Sequence, residues 1–136
     1  MDRFEYRLTV LRDNGADVAN LLDIGAYRGE FTKLVENIWP RVRPWQIEAD
    51  TRQMPYLRPD AINAVLSDVP NKEVDFFTLD TDSITTGSSI YRELTSYYND
   101  PIILKKKTTT LDEVAKRVNF RGAWKQSGMI KLDTQG

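Results

Sequence analysis

The sequence predicts an α/β protein with a parallel sheet built from consecutive strand–helix–strand units. Short apolar runs at residues 18–24, 44–48 and 61–66 have the length of buried strands. Residues 30–39, between the first two runs, carry apolar side chains at helical spacing, and Pro40 ends this helix. Strands that alternate with helices in this order are typical of a parallel sheet.

The remaining predicted elements belong to the same single domain, which covers residues 1–136. They include an inserted antiparallel strand pair and a hydroxyl-rich loop at residues 80–89. The lysines of a strand at 102–110 are expected to protect an exposed sheet edge. The further elements are helices at 2–14, 53–57 and 111–118, with Thr110 as the N-cap of the last, and strands at 72–79, 102–110 and 129–133.

The composition excludes several classes of chemistry. The 136 residues include no cysteine and no histidine, which removes disulfides, thiolate nucleophiles, Ser-His-Asp hydrolysis and histidine-ligated metals. A net charge of -1 predicts no nucleic-acid partner and no polybasic membrane contact. No apolar run is long enough for a membrane helix, and the charged N-terminus does not fit a signal peptide, so the cytoplasm is the default location.

Four acids lie at or just beyond the ends of predicted strands. The carboxyl ends of parallel strands meet at one edge of the sheet, and ligands of such sheets bind there. Taken alone, each acid has a simpler interpretation, since a carboxylate can cap the following helix or lie on the surface. Their ordered recurrence favours a ligand site that contains Asp23, Glu48, Asp68 and Asp133.

The turn after the first strand, DIGAYRG at residues 23–29, discriminates between nucleotide cofactors. A P-loop needs a lysine after its last glycine, and none follows Gly29. The dinucleotide fingerprint needs a glycine where Tyr27 stands, and the tyrosine ring would crowd a pyrophosphate. The turn therefore favours a nucleoside without a pyrophosphate, such as S-adenosylmethionine, over NAD.

In a complex with S-adenosylmethionine, the backbone at Gly25 would pass close to the ribose and the amino-acid tail. Asp23 would help to hold the ammonium group of that tail. Glu48 would accept hydrogen bonds from both ribose hydroxyls, because a carboxylate offers two acceptor oxygens. Asp68 would accept a hydrogen bond from the adenine amino group. Either Asp23 serves the ligand in this way, or it only caps the next helix.

Several segments together resemble the FkbM-type methyltransferases. They cover roughly residues 15–136 and read, in chain order, LLDIGAYRGEFT, IEAD, AVLSD, TTGSSIYRE, TTTLDEV and MIKLDTQG. The resemblance implies a Rossmann-like fold of the S-adenosylmethionine methyltransferase type. It also implies an enzyme that transfers a methyl group from S-adenosylmethionine to a hydroxyl of a sugar or natural product.

The resemblance assigns roles to individual residues. It implies that Asp133 and Gln135 face the transferred methyl group. With no histidine in the chain, Asp133 is the predicted general base, and Lys131 would orient the acceptor. The implied cofactor-binding residues are Asp23, Gly25, Ala26, Tyr27, Gly29, Glu48, Ser67 and Asp68.

The sequence departs from the family pattern at three points. Tyr27 stands where the family usually has a small amide, and Glu48-Ala-Asp50 replaces a proline-bearing segment. The family fold continues after the KLDTQG strand, so the resemblance implies a truncated chain that is incomplete at the C-terminus. An open edge on the strand at 129–133 then predicts either a homodimer formed through that edge or a frayed C-terminus.

Two other functions remain open on the sequence alone. The chain can be a non-catalytic, Rossmann-like module that binds a nucleoside or supports an assembly. A nucleotide-dependent oxidoreductase is disfavoured by Tyr27 and the missing glycine.

Overall fold

The computed structural model describes residues 1–78, 102–118 and 126–133. The α/β class is confirmed, and the predicted loop at 80–89 lies outside the described residues. In chain order the elements are α1 (Arg3–Asp13), β1 (Asn20–Ile24), α2 (Glu30–Ile38), β2 (Arg43–Glu48), a 3-10 helix (Thr51–Tyr56), β3 (Ile62–Asn63), β4 (Val65–Leu66), β5 (Glu73–Thr78), β6 (Ile102–Thr109), α3 (Leu111–Arg117) and β7 (Gly128–Leu132).

A parallel four-stranded sheet with the order β3-β2-β1-β7 forms the centre of the fold. All five residues of β1 are buried, which explains its continuous apolar run. The register places Ile24 opposite Ile47 of β2 and Leu132 of β7. The carboxyl ends of these three strands therefore meet at one edge, as predicted, and the arrangement is compatible with a Rossmann-like fold.

Helices cover both faces of this sheet. Successive residues of a strand point to opposite faces, so Leu21 and Leu22 belong to two different apolar clusters. The first cluster packs α1 and α2 against the sheet and consists of Leu8, Val18, Leu21, Val35, Ile38, Trp39 and Val42. The second includes Val114 of α3 and consists of Leu22, Ile24, Ile47, Ile62 and Val114.

A second, three-stranded sheet has the order β4-β6-β5. Its strands β5 and β6 pair antiparallel, which confirms the inserted antiparallel strand pair. The predicted single strand at 61–66 is wrong, because it is divided between the two sheets. Asn63 pairs with Glu48 in the parallel sheet, whereas Val65 pairs with Thr108 in the second sheet. An apolar run this short does not specify which neighbours its residues pair with.

The lysines of β6 lie on a strand that is only partly covered by neighbours. The strand order places β6 between β4 and β5, which was not predicted, but β4 pairs only with Thr108 and Thr109. Along residues 102–107, β5 is the only paired strand among the described residues, so edge protection by the lysines stays a prediction. Lys105 forms an ion pair with Asp75, its partner across the β5–β6 ladder. Lys106 points to the other face, where its ammonium group donates to Thr51 and Asn63. The alternation of β6 thus sends neighbouring lysines to two different environments.

The predicted N-cap of α3 is present, and α1 has an N-cap that was not predicted. The Thr110 hydroxyl accepts a hydrogen bond from the Glu113 amide at 3.2 Å and caps α3. Asp2 caps α1 through the amides of Phe4 and Glu5, each at 2.7 Å. Within the described parts of the chain, no helix has the length and apolar character needed to cross a membrane.

Candidate functional site

The turn between β1 and α2 is built on two glycines with left-handed backbone. Gly25 has φ 73° and Gly29 has φ 75°, a region that residues with side chains seldom adopt. The amides of Gly25 and Ala26 both donate to the Ile47 carbonyl, at 2.9 and 3.1 Å, and attach the turn to β2. A Cβ atom on Gly29 would lie 2.9 Å from Nε2 of Gln46. The left-handed backbone therefore favours glycine at position 29, while the close contact is with the end of the Gln46 side chain, which would have to shift.

Tyr27 also has a left-handed backbone, with φ 51°. Its amide donates to Oε2 of Glu48 at 2.7 Å, which holds the turn in this conformation. The Arg28 guanidinium lies 5.3 Å from the Tyr27 ring centre and 4.5 Å from that of Tyr56. Asparagine tolerates a left-handed backbone better than tyrosine does. A small amide would therefore suit position 27, and Tyr27 adopts this backbone at some cost in conformational energy.

Glu48, the last residue of β2, has its carboxylate buried between two backbone amides. Its Oε2 accepts from Tyr27 and its Oε1 accepts from Asp50 at 2.8 Å, and the residue is only 9% exposed. Burial raises the pKa of Glu48 above the ordinary 4.5; hydrogen bonds from the amides of Asp50, Tyr27 and Ala49 oppose the rise and the charge of Asp50 adds to it. An ionised carboxylate has four lone pairs, so acceptor capacity remains for ligand hydroxyls.

Asp50 fixes the segment that follows β2. Its Oδ1 accepts from the Arg52 amide at 3.0 Å, which caps the 3-10 helix, and its Oδ2 lies 2.8 Å from Nη2 of Arg52. Burial alone would raise the pKa of Asp50, but the hydrogen bonds from Arg52 outweigh it and the pKa is lowered. Arg52 also donates to Thr78 at the end of β5. Asp50 was not predicted as part of the site. An aspartate whose side chain can accept from the backbone amide two residues later is nevertheless a recognisable turn signal in a sequence.

Asp23 is fully buried, and both of its carboxylate oxygens already accept hydrogen bonds. Oδ2 accepts from the Thr32 hydroxyl at 2.6 Å, and Oδ1 accepts from the Lys131 ammonium at 2.9 Å. The same ammonium donates to the Gly25 carbonyl at 2.7 Å. The N-cap of α2 is Gly29, which has no side-chain cap bond, so the interpretation of Asp23 as a helix cap is wrong. A contact of Asp23 with a ligand ammonium stays a prediction.

Asp133 lies at the same edge of the sheet, directly after β7. Its amide donates to the Ile24 carbonyl at 3.1 Å, which holds it beside the end of β1. Its side chain is 81% exposed, and its Oδ2 lies 3.8 Å from the Lys131 ammonium. The predicted general base is thus a solvent-exposed carboxylate beside the turn, while its predicted neighbour Gln135 lies outside the described residues.

Ser67 and Asp68, the predicted adenine-side pair, belong to the second sheet. They follow β4, and the Ser67 amide donates to the Thr109 carbonyl at 2.9 Å. The Ser67 hydroxyl donates to Oδ1 of Asp68 at 3.1 Å, and Asp68 is exposed. Their hydrogen bonds therefore connect them to each other and to β6, whereas Glu48 bonds to the turn and Asp133 bonds to the end of β1, where Asp23 lies.

A groove of about 420 Å³ is lined by the start of the 3-10 helix and by residues of β5 and β6. Lys106 borders it, and burial lowers the pKa of this lysine, against the opposing charges of Asp50 and Glu48. Sequence reasoning did not identify Lys106 as part of the surroundings of Glu48. The residues that line the groove are Thr51, Arg52, Thr78, Ile102, Leu104, Lys105 and Lys106.

The arrangement can accept a ligand with two adjacent hydroxyls at Glu48, and it can orient or deprotonate a group near Asp133. Among the residues that the structure describes, no cluster of three or more acids is placed to hold a metal ion. Comparison of the chain with protein-family models, with curated proteins and with solved structures finds no match. The resemblance to FkbM-type methyltransferases and the roles it implies therefore stay predictions.

Proposed function

We propose that the chain binds the adenosyl part of S-adenosylmethionine at the edge formed by β1, β2 and β7. The observation that carries the proposal is the position of Glu48. Its buried carboxylate lies at the end of β2, directly against the backbone of a glycine turn at Tyr27. A ribose whose two hydroxyls donate to Glu48 would lie over this turn, where no pyrophosphate has to be accommodated.

The reaction we propose is the FkbM-type transfer of a methyl group to a hydroxyl of a sugar or natural product. S-adenosylmethionine supplies the electrophilic methyl group, and the protein aligns the acceptor oxygen with it. Asp133 is the proposed base because its exposed carboxylate lies at the ligand edge in a chain that has no histidine. It would take the proton of the acceptor hydroxyl as the oxygen attacks.

Calorimetric titration with S-adenosylhomocysteine tests the cofactor half of this proposal. We expect micromolar binding to the wild-type chain and at least about a tenfold loss in Glu48→Ala, since hydrogen bonds to a charged group are worth about 1.5–3 kcal/mol. Glu73→Ala, an exposed glutamate in the second sheet, is the matched control and should bind normally. NAD should not bind.

Absence of S-adenosylhomocysteine binding by a chain with cooperative unfolding would remove the proposal. Binding that Glu48→Ala leaves unchanged would remove the assigned site while it preserves the ligand. A non-catalytic nucleoside-binding module, the alternative function, would bind S-adenosylhomocysteine but would transfer no methyl group from S-adenosylmethionine to any tested hydroxyl acceptor.

We further propose that two chains associate through β7. In the described sheet β7 is the last strand in the order, and its outward side chains Ile130 and Leu132 are 50% and 71% exposed. An edge strand with exposed apolar side chains is a template for pairing with a second copy. Sedimentation should show a dimer that Leu132→Lys converts to a monomer, and a monomeric wild-type chain would contradict this proposal.

A further inference from the structure

The Lys131 ammonium lies where a ligand ammonium would have to lie in order to contact Asp23. It is bound by the Asp23 carboxylate at 2.9 Å and by the Gly25 carbonyl at 2.7 Å, and its side chain is only 17% exposed. The register of the parallel sheet pairs Lys131 directly with Asp23, so the contact is built into strand pairing and does not depend on a surface rotamer.

The charge of the Asp23 carboxylate is already balanced by the Lys131 ammonium. Its other oxygen accepts from the Thr32 hydroxyl at 2.6 Å, and the whole side chain is closed off from solvent. Lys131 supplies the cation that a buried carboxylate needs, Thr32 supplies a hydrogen bond to the other oxygen, and the remaining lone pairs of Asp23 face no open space because its side chain is 0% exposed. A ligand ammonium could reach Asp23 only if it displaced Lys131.

Asp133 is the other acid that faces Lys131. Its carboxylate lies 3.8 Å from the ammonium, and its side chain is 81% exposed. Charges that are this exposed are screened by water and contribute little to binding. Asp133 therefore does not replace Asp23 as a buried anion for the tail of a ligand.

We infer that Lys131 substitutes for the ligand ammonium at Asp23, so that the site recognises adenine nucleosides through their nucleoside half and not through a charged amino-acid tail. The ligand class comprises adenosine thioethers with or without such a tail. This inference rests on the proposed nucleoside site at Glu48 and specifies which part of the ligand that site recognises.

The wild-type chain provides the first test, by calorimetric titration with S-adenosylhomocysteine and with 5′-methylthioadenosine, which lacks the amino acid. We expect the two dissociation constants to agree within about threefold, because a buried charge-assisted contact would separate them by about tenfold or more. Tenfold tighter binding of S-adenosylhomocysteine would overturn the inference and leave the proposed function standing. Binding of neither ligand would remove both.

Lys131→Met provides the second test, because it opens Oδ1 of Asp23 to a ligand ammonium. We expect the preference for S-adenosylhomocysteine over 5′-methylthioadenosine to rise about tenfold in this variant. Asp23→Asn/Lys131→Met is the control, since it removes the anion as well and should restore equal binding. An unchanged preference in folded Lys131→Met would overturn the inference, and the wild-type comparison decides it where this variant does not fold.

Discussion

Each sheet contains one aspartate–lysine pair whose two side chains meet across neighbouring strands. Asp23 and Lys131 pair in the parallel sheet with side chains that are 0% and 17% exposed. Asp75 and Lys105 pair in the antiparallel sheet with side chains that are 42% and 66% exposed. The chemistry and the cross-strand placement are the same, and only burial differs. The parallel sheet therefore depends on its pair, while the second sheet has water as an alternative partner.

The largest effect should come from removing the buried charge. Asp23→Asn leaves the Lys131 ammonium without its anion, and we expect the free energy of unfolding to fall by about 3 kcal/mol or more. Asp75→Asn is the matched variant, and its effect should be much smaller because its partner is in water. Urea unfolding of both variants measures the difference, and equal losses would break the comparison.

The next largest effect on stability is expected from two glycines that both have a left-handed backbone. Gly29 and Gly15 both have left-handed φ, 75° and 91°, but only Gly29 is packed, with Gln46 2.9 Å from the position of an added Cβ. Both alanine variants carry the conformational cost of about 1 kcal/mol, and Gly29→Ala adds a smaller steric cost because the end of the Gln46 side chain has to shift. The melting temperature of Gly29→Ala should therefore be lower than that of Gly15→Ala. The reverse order would contradict the packing assigned to Gly29.

A smaller effect is expected at the two described residues other than glycine that have positive φ. Tyr27, at the site, has φ 51°, and Asn71, beside the second sheet, has φ 59°. Tyr27→Asn should raise the free energy of unfolding by about 0.5 kcal/mol, and Asn71→Tyr should lower it by a similar amount, because asparagine tolerates this conformation better. A loss of stability in Tyr27→Asn would mean that the contacts of Arg28 with the ring outweigh the strain.

The last expected effect is a pH dependence of stability at Glu48. Because burial raises the pKa of Glu48 above 4.5, the folded state keeps the proton at pH values where the unfolded chain has lost it. Stability should then fall as the pH rises from 4.5 to the folded pKa, by at most about 1.4 kcal/mol per pH unit. Urea midpoints measured over this range should show the slope in the wild type, and Glu48→Gln should lack it.

The affinity for a nucleoside should also depend on the ionisation of Glu48, but it should rise with pH where the stability falls. An ionised Glu48 accepts two hydroxyls, so affinity should rise with pH through its pKa, at a midpoint above the ordinary 4.5. A midpoint at or below 4.5 would contradict a buried Glu48 in the binding site.

Local patterns in the sequence were sufficient for most of the fold. Apolar runs and Pro40 predicted β1, β2 and α2 close to their observed bounds, because the spacing of apolar residues within each segment already indicates which side chains are buried. The division of residues 61–66 between two sheets was not predictable, since it depends on which strands β3 and β4 meet. The middle position of β6 was missed for the same reason.

The candidate site was predictable in its members but not in their contacts. Asp23, Gly25, Gly29 and Glu48 were identified because strand ends and glycine spacing are local signals. The bond between Lys131 and Asp23 depends on the register of β7 against β1, and a shift of one residue would send Lys131 to the other face. Register is set by the whole sheet and is not visible in either segment.

The bond between Lys131 and Asp23 joins residues that are 108 positions apart. As the chain emerges from the ribosome, β1, β2 and α2 are complete long before β7 is made. Until then Asp23 has no cation, and its burial between the two helical layers is opposed by its own charge. We therefore expect docking of β7, which brings Lys131 to Asp23, to be a late, long-range step in folding.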